Sequence, residues 1–366
     1  MGPGFYIFFL GDLVGLHIYI HFPFCISKCR YCGFSSIENI NPPQESYVKA
    51  VLTEAEMFFD NISTGSKIST IYFGGGTPTL FSTQAISRII NGLNRLWLIE
   101  ADSEVSIEAN PETISQDYAF GLKAAGINRI SLGVQSFSNR LLDFLGRVHD
   151  AEKALDAFKS LRAAGFDNIN IDMMYSVPTQ NASEFEYDLK RIGEINPEHV
   201  SAYMFSPDTK WAQTFEPLLD DEVERFFYSV LEKLAGYGLN QYEISNFAKE
   251  GYECRHNLAY WRYSPYIGLG AAAVSCLNGI RSTNASDPEM YMSLVLNSER
   301  PVIYEERLDD HTMDFEKKFL SLRTIYGIPE EFMPKNIPPD LYEIRDGNAI
   351  LTPKGMLLSD EIFSLL

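Results

Sequence analysis

Cysteine is scarce in this chain, five in 366 residues, and the five do not pair off: Cys25, Cys29 and Cys32 fall within eight positions, while Cys254 and Cys276 lie far away. An odd number spaced this way excludes a disulfide framework and points to a reducing compartment. Positive charge is scarce as well. There are 30 Lys and Arg against 49 Asp and Glu, a net charge of −19, with an isoelectric point near 4.7. A surface that neutralises phosphates, and with it a DNA or RNA partner, is not expected. Long apolar runs are missing too. The opening one, Phe5 to Leu10, is broken by Gly11 and Asp12 and has no basic flank, so neither a signal peptide nor a membrane span is expected there. Tyr6 stands where a myristoylation signal needs Ser or Thr. Residues 1–14 read as an extension, and the protein as cytoplasmic without an integral membrane segment.

What the chain does have is apolar and aromatic bulk, 45% and 13% of its residues, enough for one large core or two smaller ones. Those residues follow a rhythm. GLHIYIHF is followed by a helical stretch from Pro43 to Phe59, STIYF by Ser82 to Leu96, and EVSIEA by Ser115 to Ala125. RISLGV is followed by helical stretches through Ala164, NINIDMMY by Ser183 to Ile195, and HVSAYMF by Asp220 to Tyr237. Repeated strand-helix units force a parallel sheet with crossover helices, and six of them predict a partial (β/α)6 barrel of the TIM type. The rhythm stops after about residue 240. The expected division is an α/β barrel over 15–245 and a smaller mixed α/β domain over 246–366.

In such barrels chemistry sits where strands end and loops begin. Cys25, Cys29 and Cys32 follow the first strand, Gly74-Gly75-Gly76-Thr77-Pro78 the second, Glu108 closes the third, Gln135 the fourth, and Asp172 lies late in the fifth. Three close thiols in a reducing compartment imply metal. Tetrahedral zinc wants a fourth protein ligand, and His21, inside a strand, is awkwardly placed to supply it. An iron–sulfur cubane tolerates three cysteines when its fourth iron takes an outside ligand.

The C-x-x-x-C-x-x-C spacing of Cys25, Cys29 and Cys32, with GGGTP after the next strand, resembles the radical S-adenosylmethionine superfamily. YIHFPFC, GGGTPT, IEANPE, NRISLGVQSF, GRVHD, NINIDMMYSVP, YEISNFA and ECRHNLAYW resemble, in order over about residues 16–280, the oxygen-independent coproporphyrinogen III oxidases and their relatives. The resemblance implies a [4Fe–4S] cluster on the three cysteines. It also implies S-adenosylmethionine held by Tyr19, Gly75, Gly76, Thr77, Glu108, Gln135, Arg147 and Asp172, with the glycines and Thr77 offering N–H and hydroxyl groups to the amino acid end. Read without it, Tyr19 is a barrel-core tyrosine, the glycines a bare turn, and the polar strand ends solvated.

Two activities divide that family, an oxidative decarboxylation of porphyrinogen propionates and a haem-chaperone branch. The oxidases carry a fourth cysteine where this chain has Phe34, and a longer segment before the cluster. His256-Asn257-Leu258-Ala259-Tyr260-Trp261 fits the H-N-x-x-Y-W signature of the chaperone branch. The resemblance thus implies haem as cargo, His256 as a ligand for its iron, Tyr260 and Trp261 as an aromatic wall, and haem-acceptor proteins as partners. It allows an electron donor such as flavodoxin or ferredoxin, and a homodimer. Cys254, His21 and His149 remain alternative ligands, and the bland reading has His256 capping a helix while the aromatics fill a seam. One departure stands out: Val274 occupies a position where the family commonly has histidine. The alternatives to haem delivery are a radical oxidoreductase such as the oxidase, a radical enzyme acting on RNA, which would be expected to carry a basic module absent here, and a structural zinc protein.

Overall fold

The computed structural model describes residues 15–60, 66–216 and 218–366. The expected extension over 1–14 lies outside the described residues.

Six parallel strands fall where the rhythm places them: β1 (Leu16–Phe22), β2 (Lys67–Gly75), β3 (Leu98–Ala109), β4 (Arg129–Gln135), β5 (Ile169–Tyr175) and β6 (His199–Met204). They pair in sequence order with parallel register. The strands alternate over their central residues, with irregularities at Leu16, between Ile68 and Thr70, and between Gly133 and Gln135. Ile18 and Ile20 of β1, Ile71 and Phe73 of β2, Ile107 of β3, Ile130 and Leu132 of β4, Ile171 of β5 and Val200 of β6 join one large apolar core. The intervening positions are polar and bond one another across the sheet, as Tyr72 does with Glu108, Asn170 with Ser131, and His199 with Asn170. Period-two alternation with both faces covered gives an apolar outer layer under the helices and a polar interior.

The helices that cover the apolar face are α1 (Gln44–Phe59), α2 (Thr83–Leu96), α3 (Gln116–Ala125), α5 (Ala151–Ala163), α6 (Ala182–Ile195) and α7 (Asp220–Gly236), while α4 (Asn139–Leu145) packs Leu141 and Leu145 in a separate small cluster with Met174 and Val177. Their starts are set by side-chain caps that satisfy otherwise unpaired N–H groups: Ser82 on α2, Ser115 on α3, Asp150 on α5, and a capping box between Asn181 and Glu184 on α6.

The loss of rhythm after residue 240 is a change of strand direction within the same sheet. β7 (Asn240–Glu243) and β8 (Asn246–Ala248) pair antiparallel and extend the β6 edge. The division expected at 245/246 thus falls inside this hairpin. At the other edge, β9 (Tyr266–Leu269) runs parallel to β1, and β10 (Val274–Leu277), β11 (Ile280–Asn284) and β12 (Val302–Arg307) continue as an antiparallel meander. The result is a 12-stranded sheet in the order β12-β11-β10-β9-β1-β2-β3-β4-β5-β6-β8-β7. The later helices include α8 (Arg255–Trp261), α9 (Pro288–Leu296) and α10 (Asp310–Leu322), and a separate three-stranded sheet lies between residues 328 and 351. No helix among the described residues is long and apolar enough to cross a membrane.

Candidate functional site

The thiols sit on a loop pinned along its length. The Cys25 carbonyl accepts from Asn39 N at 2.9 Å, Cys32 N donates to the Cys29 carbonyl at 3.1 Å, Arg30 N donates to the Leu145 carbonyl at 3.2 Å, and the Arg30 carbonyl accepts from the Thr209 hydroxyl at 3.0 Å. All three thiols are free and partly exposed. Phe34 is 63% exposed on the outside of the loop.

The glycine run after β2 does something the sequence reading missed. Gly76 N donates to the Phe22 carbonyl and Thr77 N to the Phe24 carbonyl, each at 2.7 Å, while Gly75 N donates to Glu108 Oε2 at 3.0 Å. Of these N–H groups, all expected to face a cofactor, those of Gly76 and Thr77 clamp the segment that leads into Cys25 and that of Gly75 is held by Glu108. The need for glycine follows from the same packing. A Cβ on Gly76 would lie 2.6 Å from the Phe24 carbonyl and 3.0 Å from Cys25 Sγ, and one on Gly75, whose φ is +111°, would lie 2.6 Å from the His21 ring.

Arg147 comes from the loop after α4 and reaches the thiols. Its Nη1 donates to Cys29 Sγ at 3.3 Å, and its Nη2 to Asn110 Oδ1 and the Gly133 carbonyl, each at 2.8 Å. Asn110, which sequence reading passed over, also donates to the Thr77 hydroxyl at 2.9 Å and so ties Arg147 to the glycine run. Its signal was its place directly after the inward series 104, 106 and 108. Glu108 accepts from Tyr72 and Gly75; burial, followed by the charge of Asp172, pushes its carboxyl up to about 7. Asp172 is likewise raised by burial although Asn170 donates to it at 2.7 Å. Gln135 ends β4 with φ at +67°, a left-handed backbone. Tyr19 stands on β1, its hydroxyl 3.0 Å from His21 Nδ1 and its ring 6.1 Å from that of Tyr72.

These residues fit a [4Fe–4S] cluster. A cubane takes one thiolate per iron and leaves the fourth iron to another ligand. The loop offers three unpaired thiols, a guanidinium already bonded to one of them, and a missing Cβ where another approaches. Among the described residues no three His, Cys, Asp or Glu side chains come close enough together to hold a single metal ion.

His256 is not where the signature suggested. It opens α8 at 1% exposure, with Nδ1 2.7 Å from the Thr70 hydroxyl, Nε2 2.9 Å from the Tyr260 hydroxyl, and its ring stacked on Tyr72. Its N–H and that of Arg255 donate to Glu104, whose inward parity with Glu108 was readable from the strand. Both ring nitrogens are engaged, and burial pushes its pKa well below the usual histidine range. The geometry is that of a core histidine. Cys254 is fully buried beside Glu104, and His149 is buried 3.3 Å from Glu112.

Tyr260 and Trp261 do face open space. A cavity of about 750 Å³ lies between α8, β10 and α10, and Tyr19, His21, Tyr260, Trp261, Val274 and Phe319 are among the residues on its wall. That is within the size range of cofactor pockets. Val274 thus stands on the cavity wall itself.

The fold and the thiol loop define a radical S-adenosylmethionine core, and the Radical SAM superfamily model matches residues 19–192. The chain belongs to the HemW family within that superfamily. It is 32% identical to the heme chaperone HemW of Bacillus subtilis (strain 168) over 94% of this chain and 97% of that one. With the heme chaperone HemW of Escherichia coli (strain K12) it shares 38% identity over 78% of each. Among solved structures, the coproporphyrinogen III oxidase HemN of Escherichia coli, a radical SAM enzyme, superposes with a TM-score of 0.82 at 22% identity, covering 96% of this chain and 89% of that one. That likeness shows a common fold.

Proposed function

We propose that this protein is a haem chaperone of the HemW type, which binds a [4Fe–4S] cluster, S-adenosylmethionine and haem and passes the haem to acceptor haemoproteins. The observation that carries the reading is the aromatic cavity bordering the cofactor mouth, in a chain that matches haem chaperones along nearly its whole length. The exposed Phe34, where the oxidases carry a cysteine, favours delivery over porphyrinogen oxidation.

Cys25, Cys29 and Cys32 would hold the cluster. Tyr19, Gly75, Gly76, Thr77, Glu108, Gln135, Arg147 and Asp172 would hold S-adenosylmethionine. When bound, the cluster supplies one-electron reducing chemistry, for which a flavodoxin or ferredoxin is a suitable donor. Arg147 orients the Cys29 thiolate, the Gly76 and Thr77 N–H groups hold the approach to Cys25, and Glu108 holds the backbone of Gly75. Tyr260 and Trp261 offer ring faces to a flat macrocycle. His256 acts on the site by fixing the Tyr260 hydroxyl.

Mixing haem-loaded protein with an apo-haemoprotein and following the acceptor's absorption spectrum tests the proposal. Transfer faster than from free haem supports it. Turnover of coproporphyrinogen III without haem transfer would replace it with the oxidase reading.

A further inference from the structure

The proposed function leaves open which side chain meets the haem iron, since His256 is not among the residues on the cavity wall. The cavity wall carries one imidazole and one thiol, His21 and Cys276. Cys276 is a poor candidate: a thiol ligates as the thiolate, and burial pushes this one up.

His21 is built differently. Its Nε2 lies 2.8 Å from the Ser35 carbonyl. A carbonyl only accepts, so that nitrogen carries the proton and Nδ1 holds the lone pair. Nδ1 is met by the Tyr19 hydroxyl at 3.0 Å, and Tyr19 lies on the cavity wall, so iron reaches that lone pair when the Tyr19 side chain swings away from it into the cavity. An imidazole whose outer N–H donates to a backbone carbonyl is the arrangement by which histidines ligate metals, because the donated proton sets the tautomer and the ring orientation. The ring also rests in the space left by the absent Cβ of Gly75, and the His21 carbonyl accepts from the Tyr47 hydroxyl at 2.7 Å.

Resting on the haem-chaperone reading, we infer that the cavity between α8, β10 and α10 is the haem berth and that His21 Nδ1 ligates the iron. Haem bound there is one imidazole away from Ser35, which lies three residues after Cys32 on the cluster loop. Cargo and cluster loop are in direct mechanical contact.

The test is haem titration, with absorption and electron paramagnetic resonance spectra, of the cluster-loaded wild type, His21→Ala and Cys276→Ser, each with iron content measured beforehand. The inference expects a nitrogen-ligated spectrum in the wild type and in Cys276→Ser. It expects His21→Ala to lose affinity by about tenfold or more and to regain the wild-type spectrum when imidazole is added. His21→Ala with an intact cluster and unchanged haem affinity would overturn the ligand and leave the chaperone reading standing. A thiolate-type spectrum in the wild type would do the same without any variant, which covers the case in which His21→Ala loses its cluster. Absence of haem binding by the wild type would overturn both.

Discussion

Arg147 donates from Nη1 to Cys29 Sγ at 3.3 Å while its other terminal nitrogen is held by Asn110 and Gly133. A fixed positive charge against a cluster thiolate favours the reduced, more negative state of the cluster, since hydrogen bonds to the sulfurs and local charge set such potentials. Replacing it with the uncharged Arg147→Met should lower the reduction potential by on the order of 50 mV, little more than 1 kcal/mol for one electron, as read by spectroelectrochemical titration. An unchanged potential with full cluster content would show that the guanidinium does not act on the cluster.

Two glycines near the thiols predict opposite results. Gly76→Ala places a Cβ 2.6 Å from the Phe24 carbonyl and 3.0 Å from Cys25 Sγ, whereas Gly33, on the same loop, has open space around its missing Cβ. Iron and sulfide analysis after anaerobic reconstitution should find Gly76→Ala depleted of cluster and Gly33→Ala filled like the wild type. Equal filling would contradict the packing argument.

His256→Ala should behave first as a fold defect. It removes one buried and one part-buried hydrogen bond and a ring stacked 5.1 Å from Tyr72, a loss of about 2–4 kcal/mol, measurable by urea unfolding. Full stability together with abolished haem binding would instead restore His256 as a ligand.

Glu54 predicts a pH dependence. Fully buried, it accepts from Tyr291, Asn284 and Gly270 N, which tie α1 to β11 and the turn after β9, and burial pushes its carboxyl up to about 7. The folded protein therefore retains a proton that the unfolded chain releases at a lower pH. The contribution is full below the unfolded pKa and is lost as pH rises through about 7. The stability gap between the wild type and Glu54→Gln should shrink by on the order of 1–3 kcal/mol from about pH 5 to pH 8. A constant gap would mean that Glu54 is already ionised across this range.

The six parallel strands were legible because apolar alternation over six or more residues leaves little ambiguity, and the thiol loop because its spacing is unusual. The continuation of the sheet past residue 245 was not. Short strands such as Asn246–Ala248 carry too few residues to show a period, and pairing direction is not written in composition. The His256 stretch misled for another reason. A histidine that ligates and one that is bonded on both sides within a core have the same letter, and only Thr70, distant in sequence, decides between them. The glycine run, read as following the second strand, begins inside it, and Gly76 and Thr77 bond the chain before Cys25, because a short N–H···O contact between distant segments leaves no trace in either.

The central claim is that cluster-loaded protein binds haem specifically. Titrating haem into anaerobically reconstituted wild type, beside a variant with all three of Cys25, Cys29 and Cys32 changed to alanine and one with Val274→Trp to fill the cavity, tests it most directly. Saturable, stoichiometric binding by the wild type that collapses in Val274→Trp is the predicted result. Binding that never saturates, or that ignores the filled cavity, would contradict it.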